Sequence, residues 1–400
     1  MFKRIDERCV SNSSLVDTYI SKNYRLNILL TNSTDIYGGG EFYVLELAKE
    51  LTKRGHSIIV TCKPENLLRV KCEEACIRTL PLDFPPQGKL FKFVNELKSI
   101  IQQEHIQIVH TNTNYDRTAG GVSARLCGVK HVTNVHSFHS LRHNLTHWIR
   151  NKWTTDHFLV DGVCVKELLV NEDGIPADKI SVIYLGVDPE SMKRDEPQRR
   201  RVRGEFGLEE HHIVIGNVGR LVPMKGQDYL LEAFGLIAEQ FPNARVLLVG
   251  DGELDKELRT KSKELHIMDQ VIFAGFRDDL IAMYSAFDIY AHTSIEGGGE
   301  TFPFAVVQAL AQELPVVVTR VGDVPAMVDE GLNGFVVKEK RPVGIAERLA
   351  RLCSDATLRA AMGKASRTLL LEKFTVEKMV DGVESVYGRI RNNNSNFKQP

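Results

Sequence analysis

No stretch of about 18 uncharged apolar residues occurs anywhere in the 400-residue chain, so a membrane-spanning helix is excluded. The first 25 residues, MFKRIDERCVSNSSLVDTYISKNYR, carry charges but no apolar run of secretory-signal length, and a cytosolic protein is expected. Net charge is missing too. The 51 Lys and Arg nearly cancel the 52 Asp and Glu, and no global electrostatic case for a nucleic-acid partner follows. The 7 cysteines are odd in number and scattered, and no second Cys/His pair stands at zinc spacing from Cys72 and Cys76. Reduced structural thiols are therefore expected, not a disulfide framework or a metal site. The chain also lacks a G-x-G-x-x-G dinucleotide fingerprint, and the second strand ends in IIVTCKPEN, where Lys63 precedes Glu65 and no acid is placed for a dinucleotide ribose.

What is present is a rhythm of short β-branched runs alternating with longer helix-period segments, the pattern of βα units on a mainly parallel sheet. The first series of strands is expected in LNILLTN, HSIIVTC, IQIVHTN, HVTNVHS, HFLVDG and ISVIYLG, and the second in HIVIGNVG, ARVLLVGDG, QVIFAGF, DIYAHTS, LPVVVTRVG and GFVVK. The rhythm breaks between the series, where Pro, Asp, Glu and Arg dominate. The expected organisation is an N-terminal tail (1–24), a first domain (25–190), a linker (191–207), a second domain (208–370), a C-terminal helix packing back toward the first domain (371–390) and a disordered tail (391–400). The Arg199–Arg203 run reads as a solvated linker or a helix start. Two tandem doubly wound α/β domains would turn their strand ends toward a central cleft, and ligands of such sheets bind at those ends.

The loops after the strands carry the chemistry. Gly38, Gly39 and Gly40 stand between the first strand and a helix, where close backbone approach and the helix dipole suit a phosphate, although simple turn chemistry explains them equally well. In NVGRLVPMKGQDYLLEAF, Arg220 follows Gly219 at a strand end, and Lys225 precedes an amphipathic helix. A guanidinium fork and a compact ammonium at one helix N-terminus suit a diphosphate. Gly250 ends a further strand in a tight exposed turn. Backbone groups near Phe276 and Arg277 are placed to meet a nucleobase edge, or form a plain loop. In IEGGGETFPFAVVQALA, Glu300 and Thr301 stand at a helix mouth with Phe302 behind them and Gln308 eight residues beyond Glu300, a helix-capping glutamate being the alternative. His136 closes a strand and so faces the cleft. His139, His143 and His147 follow at helical spacing without a carboxylate set, which reads as structural or surface histidines. Leu141, Leu145, Trp148 and Ile149 form an apolar stripe beside Arg142, Arg150 and Lys152; core coverage and contact with a lipid surface are both open there.

In order along the chain, GGGE, GRLVPMKG, LLVGDGE, FAGFRDDL, ETFPFAVVQALA and NGFVV resemble the retaining, nucleotide-sugar-dependent glycosyltransferases of family four, also grouped as glycosyl transferases group 1, over about residues 25–390. The resemblance implies the GT-B architecture of two Rossmann-like domains. It implies that Arg220 and Lys225 bind the donor diphosphate, that Glu300 orients the donor sugar, and that Thr301 and Phe302 present backbone N–H groups to it. It further places Gly39 near the phosphates and His136 near donor and acceptor. The family's second glutamate, which binds the nucleotide ribose, falls on Gln308; an amide still accepts from a hydroxyl, while an acid/base there would be lost. In VIYLGVD, residues 182–188, Tyr184 and Leu185 are a second departure, in place of the usual Pro and Asn of that motif. The implied reaction moves a hexose-type unit from a UDP-, GDP- or ADP-sugar to a carbohydrate or glycolipid hydroxyl with retention, without metal or other cofactor, in polysaccharide or glycolipid biosynthesis. A peripheral station at the inner face of the membrane is compatible with it, and oligomeric state is not read. Two other readings share these features: a nucleotide-sugar 2-epimerase on the same architecture, and a degenerate, non-catalytic sugar-nucleotide-binding protein suggested by Gln308.

Overall fold

The structure, a computed structural model, describes residues 24–392 except 36–37, 85–89, 137, 139, 142–146, 149 and 298–299. Of the histidine cluster, His139 and His143 lie outside the described residues, as do Arg142, Leu145 and Ile149 of the apolar stripe and nearly all of both expected tails.

The first half forms a 7-stranded sheet in the order β3-β2-β1-β4-β5-β6-β7, with β1 Asn27–Thr31, β2 Ser57–Thr61, β3 Arg78–Thr79, β4 Ile108–Thr111, β5 Lys130–Val135, β6 His157–Val160 and β7 Ile180–Val182. The second half forms a 6-stranded sheet, β10-β9-β8-β11-β12-β13, with β8 Ile213–Val218, β9 Ala244–Val249, β10 Val271–Gly275, β11 Ile289–His292, β12 Val316–Thr319 and β13 Gly334–Val337. All registered pairings are parallel, as helical crossovers on both faces require. That is why strands such as β4 and β12 are buried along their whole length rather than on alternate residues. The two-residue strand β3 is absent from the sequence reading, because Arg78–Thr79 carries no β-branched run. In both sheets the order reverses once, between β1 and β4 and between β8 and β11, and a crevice opens at each reversal.

The chain crosses between the domains twice, and the crossings pair with each other. Val187 N–H donates to the Phe374 carbonyl at 3.0 Å, and Val376 N–H donates to the Val187 carbonyl at 2.9 Å. A side chain at Gly186 would have its Cβ 2.2 Å from the Thr375 carbonyl oxygen, so only glycine admits this approach. The second domain's last helix, Ala356–Lys373, therefore runs past the expected boundary of 370 and ends where Phe374 turns inward against Tyr184 and Phe302. The C-terminal helix begins at Val376 and lies on the first domain: Arg54 pairs with Asp381 and Glu384 at 2.6 Å, and Tyr387 hydroxyl meets His110 Nδ1 at 2.6 Å.

The Arg199–Arg203 run is not a solvated linker. It lies on the helix Glu196–Glu205, whose Arg199 and Arg203 are one turn apart and turn inward to share Asp288 at 2.7 and 3.2 Å. Arg203, 5% exposed, also donates to the carbonyls of Ala286, Glu209 and His212. The strand end at Asp288 offers a carboxylate and free carbonyls that only Arg can satisfy together, and this anchors the segment to the second domain. Replacing Arg203 by Ala takes this donor from the carbonyls of Ala286, Glu209 and His212, while Asp288 keeps Arg199 and the Val214 N–H. A loss of about 3–5 kcal/mol in urea unfolding is expected, against less than about 0.5 kcal/mol for the exposed Arg200→Ala.

Candidate active site

The described residues of both GGGE words lie by a sheet reversal. The first word follows β1 and opens the helix Gly39–Lys53; Gly297 and Glu300 of the second follow β11 and precede the helix Phe304–Ala311. The two helix N-termini face each other. A Cβ on Gly39 would lie 3.7 Å from Phe304 Cβ, and the rings of Phe42 and Phe304 are 4.4 Å apart. Two positive helix ends at one crevice favour an anion.

The glutamates differ. Glu41 is a buried first-turn residue that organises its own loop: its Oε1 accepts from Asn32 Nδ2 at 3.0 Å, and its Oε2 accepts from Gly38 N–H at 2.8 Å. Glu300 reaches into the crevice between β8 and β11. Its Oε2 accepts from Lys225 Nζ and from Ser294 Oγ at 2.9 Å, with His292 Nε2 3.4 Å away. Burial alone would push the Glu300 carboxyl up; His292 and Lys225 outweigh it and hold the group well below the ordinary carboxylate range. Burial lowers the His292 pKa in turn, against the opposite pull of Glu300.

The lysine loop is set by Gly226, which has φ 59° and approaches the Thr293 carbonyl so closely that a Cβ would come within 2.2 Å of its oxygen. Thr293 Oγ1 donates to the Lys225 carbonyl at 3.2 Å, and Ile295 N–H to the Met224 carbonyl at 2.9 Å, stitching the loops after β8 and β11 together. Arg220 is exposed and its guanidinium has no protein partner among the described residues. Gly219 precedes it; Gly250, at φ 133°, packs against the Gly219 carbonyl and donates to the Gly275 carbonyl at 2.8 Å. Phe276 is 74% exposed just beyond β10. The Arg277 guanidinium is taken by Glu205 and Asp279, at 2.5 and 2.7 Å, so only the backbone and the Phe276 ring are open to a ligand there. Gln308 is 6% exposed on the helix Phe304–Ala311.

From the first domain His136 follows β5, its ring edge-on to Tyr43 at 5.1 Å. Asp161, which follows β6, lies 3.6 Å from His136 Nδ1 and accepts from Thr301 Oγ1 at 3.1 Å, across the cleft. Asp323 crosses the other way: its carboxylate accepts from the N–H groups of Val163 and Cys164, capping a first-domain helix whose own cap is a bare glycine, Gly162. Tyr184 stacks on Phe302 at 4.9 Å, which accounts for one departure in that motif: the ring fills the wall behind Thr301. Asp161, His292, Ser294 and Asp323 did not emerge from the sequence reading. All four stand at or just past strand ends, the one available signal, but each is isolated in spacing.

Residues 37–191 match the family described as Glycosyltransferase Family 4, and residues 198–369 match Glycosyl transferases group 1. The chain belongs to the family-four glycosyltransferases. Among relatives of this glycosyltransferase is the N-acetyl-alpha-D-glucosaminyl L-malate synthase of Bacillus anthracis, 25% identical over 90% of this chain and 96% of its own. Another is the UDP-Gal:alpha-D-GlcNAc-diphosphoundecaprenol alpha-1,3-galactosyltransferase of Escherichia coli, 27% identical over 75% of this chain and 79% of that one. Among solved structures, a glycosyltransferase from Rickettsia africae superposes with TM-score 0.84 at 19% identity, over 93% of this chain and 100% of that one. Anabaena HepE with UDP superposes with TM-score 0.80 at 22% identity, over 91% and 100%. Both share the fold. Neither matching family is one of epimerases.

A depressed carboxylate adds stability that is fully present above its unfolded pKa, about 4.3, and is lost as pH falls through the lower folded value. In Lys225→Met one of the groups depressing Glu300 is gone, its folded pKa rises, and the acid loss of stability should begin at higher pH than in the parent. Urea melts at a series of pH values between about 3 and 7 check this.

Proposed function

We propose that this enzyme transfers a hexose-type unit from a nucleoside diphosphate sugar to an acceptor hydroxyl with retention of configuration. One observation carries the reading: Arg220, whose guanidinium has no partner among the described residues, and Lys225 stand on the loop after β8, at the crevice into which two helix N-termini point. The departing diphosphate gains charge as its bond to the sugar breaks, and preorganised cations and N–H dipoles aimed there stabilise that charge most. Glu300 holds sugar hydroxyls, and Gln308 meets the ribose through its amide oxygen. The acceptor oxygen bonds to the anomeric carbon on the face from which the diphosphate leaves, and its proton passes to the departing phosphate oxygen. The two cations and the helix ends take the role of a divalent metal, so we infer a metal-independent transfer. The names of the E. coli relative and of the HepE complex support a UDP-sugar as the first donor to try. The acceptor is a carbohydrate or glycolipid, in polysaccharide or glycolipid biosynthesis.

Incubation with a panel of UDP-, GDP- and ADP-sugars, with and without acceptors, should release one nucleotide. Arg220→Ala combined with Lys225→Ala should lower that release by about 100-fold or more. Tight nucleotide binding without turnover under any acceptor would sink the reading.

Peripheral contact with a membrane is a further part of the proposal. No helix among the described residues is long and apolar enough to cross a bilayer. Trp148 and Trp153, 53% and 50% exposed, carry Lys152 and Arg125 over their rings at 4.7 and 5.7 Å. Aromatic rings paired with cations suit an anionic headgroup layer. Sedimentation with anionic vesicles should carry the parent down and leave a Trp148→Ala, Trp153→Ala variant in solution; equal behaviour of the two overturns the contact.

A further inference from the structure

Asp161 is 4% exposed, yet its Oδ1 has no hydrogen-bond partner among the described residues. The buried Nε2 of His136, on the neighbouring strand end, also has none among them. Leaving a buried polar atom unpaired costs about 1–3 kcal/mol, so two such atoms on one pair of contacting side chains need a reason. The other carboxylate oxygen, Oδ2, accepts from Thr301 Oγ1 at 3.1 Å and faces His136 Nδ1 at 3.6 Å. The latter is longer than a hydrogen bond, but such contacts are commonly loose before substrate binds and shorten in the complex. A mere tie between the domains is a weaker account, because Asp323 already joins them through two backbone N–H groups.

A carboxylate facing one imidazole nitrogen draws the proton to that nitrogen and leaves a lone pair on the other. With Nδ1 protonated toward Asp161, Nε2 becomes an acceptor whose natural partner is a hydroxyl. We propose that Asp161 is a positioning residue that sets the tautomer and orientation of His136, so that Nε2 accepts a hydrogen bond from a sugar hydroxyl. Thr301, on the second domain, completes that hold when the cleft is closed. The assignment rests on reading His136 as a residue of the transfer site. It couples closure to competence: the hydroxyl that steadies Asp161 sits next to Glu300, on the loop that the donor sugar occupies.

The test combines kinetics with nitrogen NMR of the histidine rings, using the full chain and the donor identified by nucleotide release. Asp161→Asn is expected to lower kcat by about 10–100-fold, with UDP affinity by calorimetry unchanged. In a His136→Ala background the same substitution should add nothing, because two residues that act as one unit are non-additive. The His136 signal, assigned by its loss in His136→Ala, should report Nδ1–H in the parent and move toward Nε2–H in Asp161→Asn. An unchanged tautomer, or a full additive loss in the His136→Ala background, overturns the proposal; a Thr301→Val variant with parental kcat overturns its closure half. The NMR arm reads the ring whether or not sugar is transferred, so failure of the transferase reading and failure of this one are separate results.

Discussion

The ion pair between Lys225 and Glu300 is the constraint on which the site depends. A carboxylate with only 10% of its side chain exposed must be paired or it loses its charge. Its partners come from both sides of the sheet reversal: Lys225 from the loop after β8, His292 and Ser294 from the end of β11. The pair thereby fixes the distance between these loops, and Gly226 supplies the backbone shape that lets them touch.

Around that pair the two domains are joined at three levels. The chain crossings at Val187 and Thr375–Val376 hydrogen-bond to each other and cannot separate far without breaking backbone pairing. An apolar cluster runs from the first sheet through Phe302, Phe374 and the C-terminal helix into the second domain. Reciprocal polar ties, Asp161 to Thr301 and Asp323 to the helix starting at Val163, then lie at the mouth of the cleft. The crossings and the cluster join backbone and apolar surface, whereas the polar ties involve single side chains of the loops after β6, β11 and β12.

Much of this was legible in advance, and the reasons differ by residue. Alternating β-branched and helix-period segments give two parallel sheets because both kinds of segment bury apolar surface locally. The glycine words and the GRLVPMKG stretch could be placed at strand ends for the same reason. For the Arg199–Arg203 run the helix reading held and the solvated-linker reading did not, since charge in a sequence looks solvated until a buried partner is known, and Asp288 lies far along the chain. Arg277 showed the converse: a cation at a promising strand end whose charge is spent on Glu205 and Asp279. Asp161 and Asp323 were silent because a single carboxylate in an apolar strand end has no spacing to betray it.

The sequence by itself determined the two-domain α/β organisation, the strand ends that carry the chemistry, and the pairing of glycine with glutamate in two places, because each follows from local periodicity and turn geometry. Only the tertiary structure decided which partners each glutamate meets. Glu41 and Glu300 follow the same three glycines in the chain. Their roles part because Glu41 meets its own loop's N–H and hydroxyl groups, while Glu300 meets a lysine and a histidine brought to it from other strands by the packing of the sheet.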